Sequence, residues 1–142
     1  MKGRRSAPSG ERLVELDRAA MAARRRAYAP YSGFRVGAAI LADDGQIYAA
    51  GNIENASYPV GMCAERAAIA VAIAAGARRL LAVSIATGRT RPVSPCGMCR
   101  QALAEHAGDI PVRLVGRTGT VEATRLSVLL PRCFSRAELP SR

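Results

Sequence analysis

The heptapeptide PCGMCRQ, residues 95–101, sets two cysteines three apart directly behind a proline. Proline suits the first turn of a helix, where its fixed φ is already correct and its missing N–H would have had no partner. The stretch therefore predicts a helix through CGMCRQALAEHAG that is closed by Gly108. On that helix Cys96 and Cys99 share a face, with Cβ atoms about 5–6 Å apart. Their sulfurs can then converge to the roughly 3.8 Å that two tetrahedral Zn–S bonds demand. Two ligands do not complete a site. The single histidine of the chain, His106, stands at the far end of the same helix and reads as a surface or capping residue.

A third sulfur is available at the head of CAERAAIAVAIAAG, residues 63–76, an Ala-rich helix that opens at Cys63 and stops at Gly76. A thiolate at a helix N-terminus is stabilised by the positive end of the helix dipole. Cys63, Cys96 and Cys99 together leave one coordination position open, which separates a catalytic zinc from a closed structural one. Zn²⁺ held this way can lower the pKa of a water in its fourth position toward about 7. Glu65 lies two residues past Cys63, roughly 200° around an ideal helix, so it is placed as a proton carrier beside the water rather than as a ligand. Arg66, three past Cys63 and on its face, can hydrogen-bond the thiolates and offset the negative charge of a zinc with three sulfurs. Two other readings of the cysteines stand beside this one: a redox pair, and a closed four-cysteine site that uses Cys133. The redox reading lacks a thioredoxin-like βαβ opening, and the closed site gives Glu65 no role. Cys133 otherwise reads as a small buried apolar residue.

Around these helices the chain alternates in character. Leu13, Leu16, Ala20 and Met21 recur at helical spacing from Glu11 to about Tyr28, before Pro30. FRVGAAILA (34–42) and QIYAAGNIE (46–54) read as a hairpin around an Asp-Gly turn, LLAVSIATG (80–88) as a strand covered on both faces, and PVRLVG (111–116) as another strand. TRLSVLL (124–130) suits a strand or a short helix. Strands separated by helices pair in parallel through crossovers, so the order predicts an α/β protein: a three-layer α-β-α sandwich with a mixed central sheet.

Composition bounds the function. At 142 residues the chain suits one domain, which would bury roughly 70% of its unfolded surface. That domain is expected over 11–135, after a disordered basic arm at 1–10 and before a tail at 136–142. Twenty of the 21 basic residues are Arg and the formal net charge is +10. This permits nucleic-acid binding without requiring it, because much of the excess sits in the N-terminal arm and first helix, and RNA-reading signatures are absent. No apolar run reaches the ~20 residues of a membrane span and no secretory signal is present, which points to the cytoplasm and to reduced or metal-bound cysteines.

The pattern C-A-E at 63–65 with P-C-x-x-C at 95–99 resembles the zinc-dependent deaminase signature, with cysteine in place of its histidine. YAPYSGFRVGAA, GNIENASY, CAERAAI and SPCGMCRQ stand in the order and spacing of small homotetrameric cytidine deaminases, and the likeness runs from about Arg24 to Leu130. The resemblance implies hydrolytic deamination of cytidine and deoxycytidine to uridine and deoxyuridine by a zinc-bound hydroxide, in pyrimidine salvage. It implies Cys63, Cys96 and Cys99 as metal ligands and Glu65 as proton shuttle. Phe34 would stack on the pyrimidine, Asn52 and Glu54 would hold the ribose 3′-hydroxyl, and Ala64 would line the base. Ala56, Tyr58 and Phe134 would be lent across subunit interfaces, although LLPRCFSRAEL follows the family's tail only loosely. Alternatives within the superfamily are a blasticidin S deaminase, against which Asn52-x-Glu54 argues, and an editor of single-stranded nucleic acid, for whose groove the chain has no insertions. Outside it stands a non-catalytic zinc module that binds RNA.

Overall fold

The computed structural model describes residues 7–140. Residues 1–6, the greater part of the arm predicted over 1–10, and residues 141–142 of the predicted tail lie outside the described residues. In chain order the elements are α1 (Gly10–Arg25), β1 (Val36–Ala42), β2 (Ile47–Gly51), α2 (Ala64–Ala74), β3 (Leu80–Thr87), α3 (Gly97–His106), β4 (Pro111–Val115), β5 (Val121–Arg125) and α4 (Leu126–Leu129). Ser9 caps α1 by accepting from the Arg12 N–H, so the helix begins inside the stretch expected to be a disordered arm. At the other end, Ser135 and Glu138 form a capping box around a 3₁₀ turn at Arg136–Glu138.

The sheet order is β2-β1-β3-β4-β5. β1 is antiparallel to both β2 and β3, β3 and β4 are parallel, and β4 and β5 are antiparallel. The expected parallel pairing across α2 is thus realised one strand apart: β2 and β3 run the same way, with β1 between them. The mixed three-layer sandwich is as predicted. Its member foreseen only in part is β5, an exposed edge strand whose sequence VEATR carries little apolar pattern and overlaps the possible strand at 124–130 by two residues. TRLSVLL divides between the end of β5 and α4, and so is both of the alternatives read from sequence.

Each face of the sheet carries its own core. Leu16 and Ala20 of α1 meet Ala39, Leu41, Ala82, Ala86 and Val115 on one side. On the other, Ala64, Ala68 and Ile69 of α2 and Leu103 of α3 cover Ile40, Val83, Ile85, Val112 and Leu114. With only 4% aromatic residues, small side chains must fill these layers, and the helices sit close to the strands. A Cβ on Gly37 would lie 2.1 Å from the Ala20 carbonyl oxygen and 2.3 Å from the Arg24 amide nitrogen. The α1 face also buries Asp17, which accepts from Arg113 Nη2 at 2.7 Å and Nε at 2.9 Å and from the Ser84 hydroxyl at 2.8 Å. This network joins α1 to β3 and β4.

Gly37→Ala forces backbone against backbone, where no side chain can yield, and should destabilise the protein by at least about 3 kcal/mol in urea unfolding. Gly10→Ala, whose new methyl meets nothing within 4 Å, is the matched control and should leave stability unchanged or raise it by about 0.4–1 kcal/mol.

Candidate active site and metal centre

Both cysteine-headed helices begin at one end of the sheet. Because β2 and β3 run in the same direction, the segments that leave them, toward α2 and α3, emerge at the same end of the sheet. The antiparallel β1 begins there too, with Val36 paired to Thr87 and Gly37 to Gly51. Phe34, Asn52, Thr87, Cys63 and Cys96 are thereby gathered at one carboxyl-end crevice, the usual place for a site in an open α/β sheet.

Cys63 and Cys96 each occupy an N-cap position in extended backbone conformation, and neither side chain makes a capping hydrogen bond. Their sulfurs are free to turn toward Cys99, one turn into α3. The three Sγ atoms lie within 4.8 Å of one another, and among the described residues no fourth cysteine, histidine or carboxylate joins the group. Cys133 is elsewhere: its thiol is half-buried and donates to the Phe134 carbonyl at 3.2 Å. That placement excludes the closed four-cysteine reading and corrects the expectation of a buried apolar Cys133. All four cysteines are free thiols.

Glu65 is 4% exposed, and its Oε2 accepts from Cys99 Sγ at 3.4 Å. Glu65 stands beside the three sulfurs without joining them as a ligand, touching Cys99 on the other helix; since Cys63 is an extended cap, the 100° step of the helical wheel begins only at Ala64. Burial pushes the Cys99 thiol far above its ordinary range, and the Glu65 carboxylate raises it further. Burial also raises Cys63, partly offset by a hydrogen bond with Cys99. At Cys96 burial acts the same way, but hydrogen bonds to the Cys99 backbone and to the other two thiols outweigh it and leave the group below an ordinary thiol. Cys63 and Cys99 thus favour their protonated forms, and a divalent ion reverses that balance outright. The donor set fits zinc: three thiols within 4.8 Å of one another, with no fourth cysteine, histidine or carboxylate grouped with them among the described residues.

Arg66 points its guanidinium back at this cluster. Nη2 donates to the Gly61 carbonyl at 3.4 Å, while Nε is buried without a partner among the described residues. Burial disfavours its charge, yet the neighbouring Cys63 and Cys99 groups raise its pKa above the ordinary value.

A cavity of about 220 Å³ opens beside the cysteines, lined by Phe34, Asn52, Ala64, Glu65, Thr87 and Ser94 among others. Glu54 and Tyr58 line a neighbouring cavity of about 310 Å³ with Tyr31, Ser32 and Asn55. Ala56 lines neither, and Phe134 is 61% exposed on the α3 side, where its carbonyl accepts from Gln101. Within one chain, then, Phe34, Asn52 and Ala64 join the cysteines and Glu65, whereas Ala56, Tyr58 and Phe134 do not.

Asn52 and Glu54 also organise the loop before β1. The Asn52 carboxamide accepts from the Val36 N–H at 2.8 Å and donates to the Phe34 carbonyl at 3.0 Å. Glu54 accepts from the Tyr31 and Ser32 amides and the Ser32 hydroxyl, bonds that hold its carboxyl below the usual range, the hydroxyl most of all. Thr87, Val93 and Ser94 were not legible as site residues, because only the end of β3 and the approach to α3 bring them there.

Residues 11–112 match the family described as the cytidine and deoxycytidylate deaminase zinc-binding region. A cytidine deaminase of Sporosarcina psychrophila is 48% identical over 118 residues, covering 82% of this chain and 87% of its own. One of Halalkalibacterium halodurans is 43% identical over 121 residues, covering 84% and 92%. The solved cytidine deaminase of Burkholderia pseudomallei superimposes with a TM-score of 0.81 at 43% identity, over 85% of this chain and 98% of that one. With more than two thirds of its length matched and the signature cysteines drawn into one cluster, the chain belongs to the cytidine and deoxycytidylate deaminase family.

Proposed function

We propose that this protein is a zinc-dependent hydrolase that converts cytidine and deoxycytidine, with water, to uridine and deoxyuridine and ammonia. The observation that carries the reading is the convergence of Cys63, Cys96 and Cys99 beside the buried Glu65 carboxylate, at a cavity walled by Phe34. Zinc at the three sulfurs would supply Lewis acidity that makes a water nucleophilic near neutral pH. Every other part of the chemistry falls to side chains.

Glu65 is the proton carrier. Its carboxylate can take a proton from the attacking water and deliver it to pyrimidine N3, which makes C4 more electrophilic; a second transfer lets the amine depart as ammonia. Burial among apolar neighbours keeps bulk water from competing for those protons. Phe34 provides an aromatic face for the ring, and the Asn52 carboxamide, bonded to the Phe34 carbonyl and the Val36 N–H, fixes the backbone that carries the face. Asn52 and Glu54 hold the ribose 3′-hydroxyl through the capacity left beyond their loop contacts; an amide and a carboxylate suit a neutral sugar better than a phosphate. Arg66 balances the thiolates.

The protein acts as a homotetramer in the cytoplasm, in pyrimidine salvage. Tyr58 is 75% and Phe134 61% exposed, and Tyr28, Tyr31, Ile53 and Val60 expose further apolar surface. A neighbouring subunit can cover that surface and bring Ala56, Tyr58 and Phe134 to a pocket they do not reach within their own chain. Among the described residues no helix is long and apolar enough to cross a membrane.

Purified zinc-loaded protein given cytidine, deoxycytidine, CMP and a cytosine-containing oligonucleotide should form uracil products from the first two alone; turnover of the oligonucleotide in preference to cytidine would overturn the nucleoside assignment. Glu65→Gln should keep its zinc and lose at least about 10²- to 10⁴-fold in kcat. Cys99→Ala should lose zinc in elemental analysis and drop in Tm together, because the metal contributes folding energy. Sedimentation equilibrium should give four chains per particle.

A further inference from the structure

A second, basic pocket adjoins the first. Arg24, Arg35 and Arg89 line a cavity of about 270 Å³ with Ser32, Gly33, Phe34 and Gly88, and among the described residues no carboxylate lines it. Arg24 reaches it from the last turn of α1. Its Nη2 passes 3.2 Å from where a Cβ on residue 88 would be, so Gly88 leaves the guanidinium its room. The Arg24 Nε is fully buried and has no hydrogen-bond partner among the described residues. Buried donors are rarely left so, and with Nε enclosed by protein the cationic Arg24 head has only its terminal nitrogens to offer an acceptor in the cavity. Arg89 stands over the Phe34 ring at 5.6 Å from its centroid, and no ion pair joins Arg24, Arg35 or Arg89 to an acidic residue among the described residues.

From this we infer that the cavity between Arg24, Arg35 and Arg89 is a binding site for a phosphate group, either the free ion or a phosphate monoester. Guanidinium groups present paired donors that match phosphate oxygens, and three of them around a small, partly enclosed space suit a dianion better than a carboxylate. Phe34 lines both this cavity and the one beside the cysteines, so a bound phosphate shares a wall with the proposed substrate pocket and contacts the arginine that stacks on it. The site is separate from the cysteine cluster, and its existence does not depend on the reaction catalysed there.

Titration calorimetry of the zinc-loaded protein, at fixed ionic strength in sodium chloride, tests this with inorganic phosphate and with methyl phosphate as probes. One equivalent should bind per chain. Binding of the free ion alone identifies inorganic phosphate as the ligand, and binding of methyl phosphate identifies an organic monoester; binding of neither overturns the proposal. Arg24→Met and Arg35→Ala should each weaken the interaction at least about tenfold, the worth of one charge-assisted hydrogen bond. Should Arg24→Met fail to fold, the exposed Arg35 and Arg89 decide: unchanged affinity in both Arg35→Ala and Arg89→Ala would place the ion elsewhere, at the metal for instance, and sink the inference.

Discussion

The direction of β2 relative to β3 is the constraint on which the rest depends. With β1 inserted antiparallel between them, these two strands point the same way, and the segments that follow both emerge at one end of the sheet. Two helix N-termini then approach each other, each headed by a cysteine whose side chain is not engaged in capping. If β1 paired on the outside of β2, β2 and β3 would be neighbours and the segments that leave them would stand a strand nearer. Strand spacing of about 4.8 Å makes such a shift as large as the 4.8 Å within which the three sulfurs now lie, so their present spacing would not survive it.

The close approach of the layers follows from residue size. Alanines on α2 and glycines at 37 and 51 let helices lie almost on the strands, with little aromatic bulk to hold them apart. That compactness brings an electrostatic load with it: a buried carboxylate, three thiols and an arginine share the space at the head of α2. Alone, Cys63 and Cys99 are driven toward their neutral forms by burial, while hydrogen bonds favour the thiolate of Cys96. A divalent cation together with Arg66 balances them, so the proposed zinc is as much an electrostatic requirement of the arrangement as a reagent.

The loop before β1 shows one residue serving two ends. Asn52 and Glu54 were read from sequence as sugar-binding groups, and in the fold each already holds backbone of residues 31–36. A side chain that fixes the loop and also lines or borders a cavity couples the position of Phe34 to whatever occupies either space. The arginine pocket on the same loop extends this coupling to a charged ligand of a different kind.

What the sequence determined by itself was whatever depends on local period and chemistry. Helix starts at Cys63 and Cys96, the pairing of Cys96 with Cys99 one turn on, the Asp-Gly hairpin and the apolar run of β3 all follow from residues within a few positions of one another, where backbone geometry leaves few choices. Family likeness added Phe34, Asn52 and Glu54. Only the tertiary structure decided which strands are neighbours, that Glu65 touches Cys99, that Thr87 and Ser94 line the cavity, that Cys133 stands apart, and that three arginines from α1 and two loops face one space. Those facts rest on contacts between residues far apart in the chain, and no local periodicity encodes them; most of β5 escaped for a related reason, since an exposed edge strand is held by backbone pairing to β4 and needs no apolar alternation to announce it.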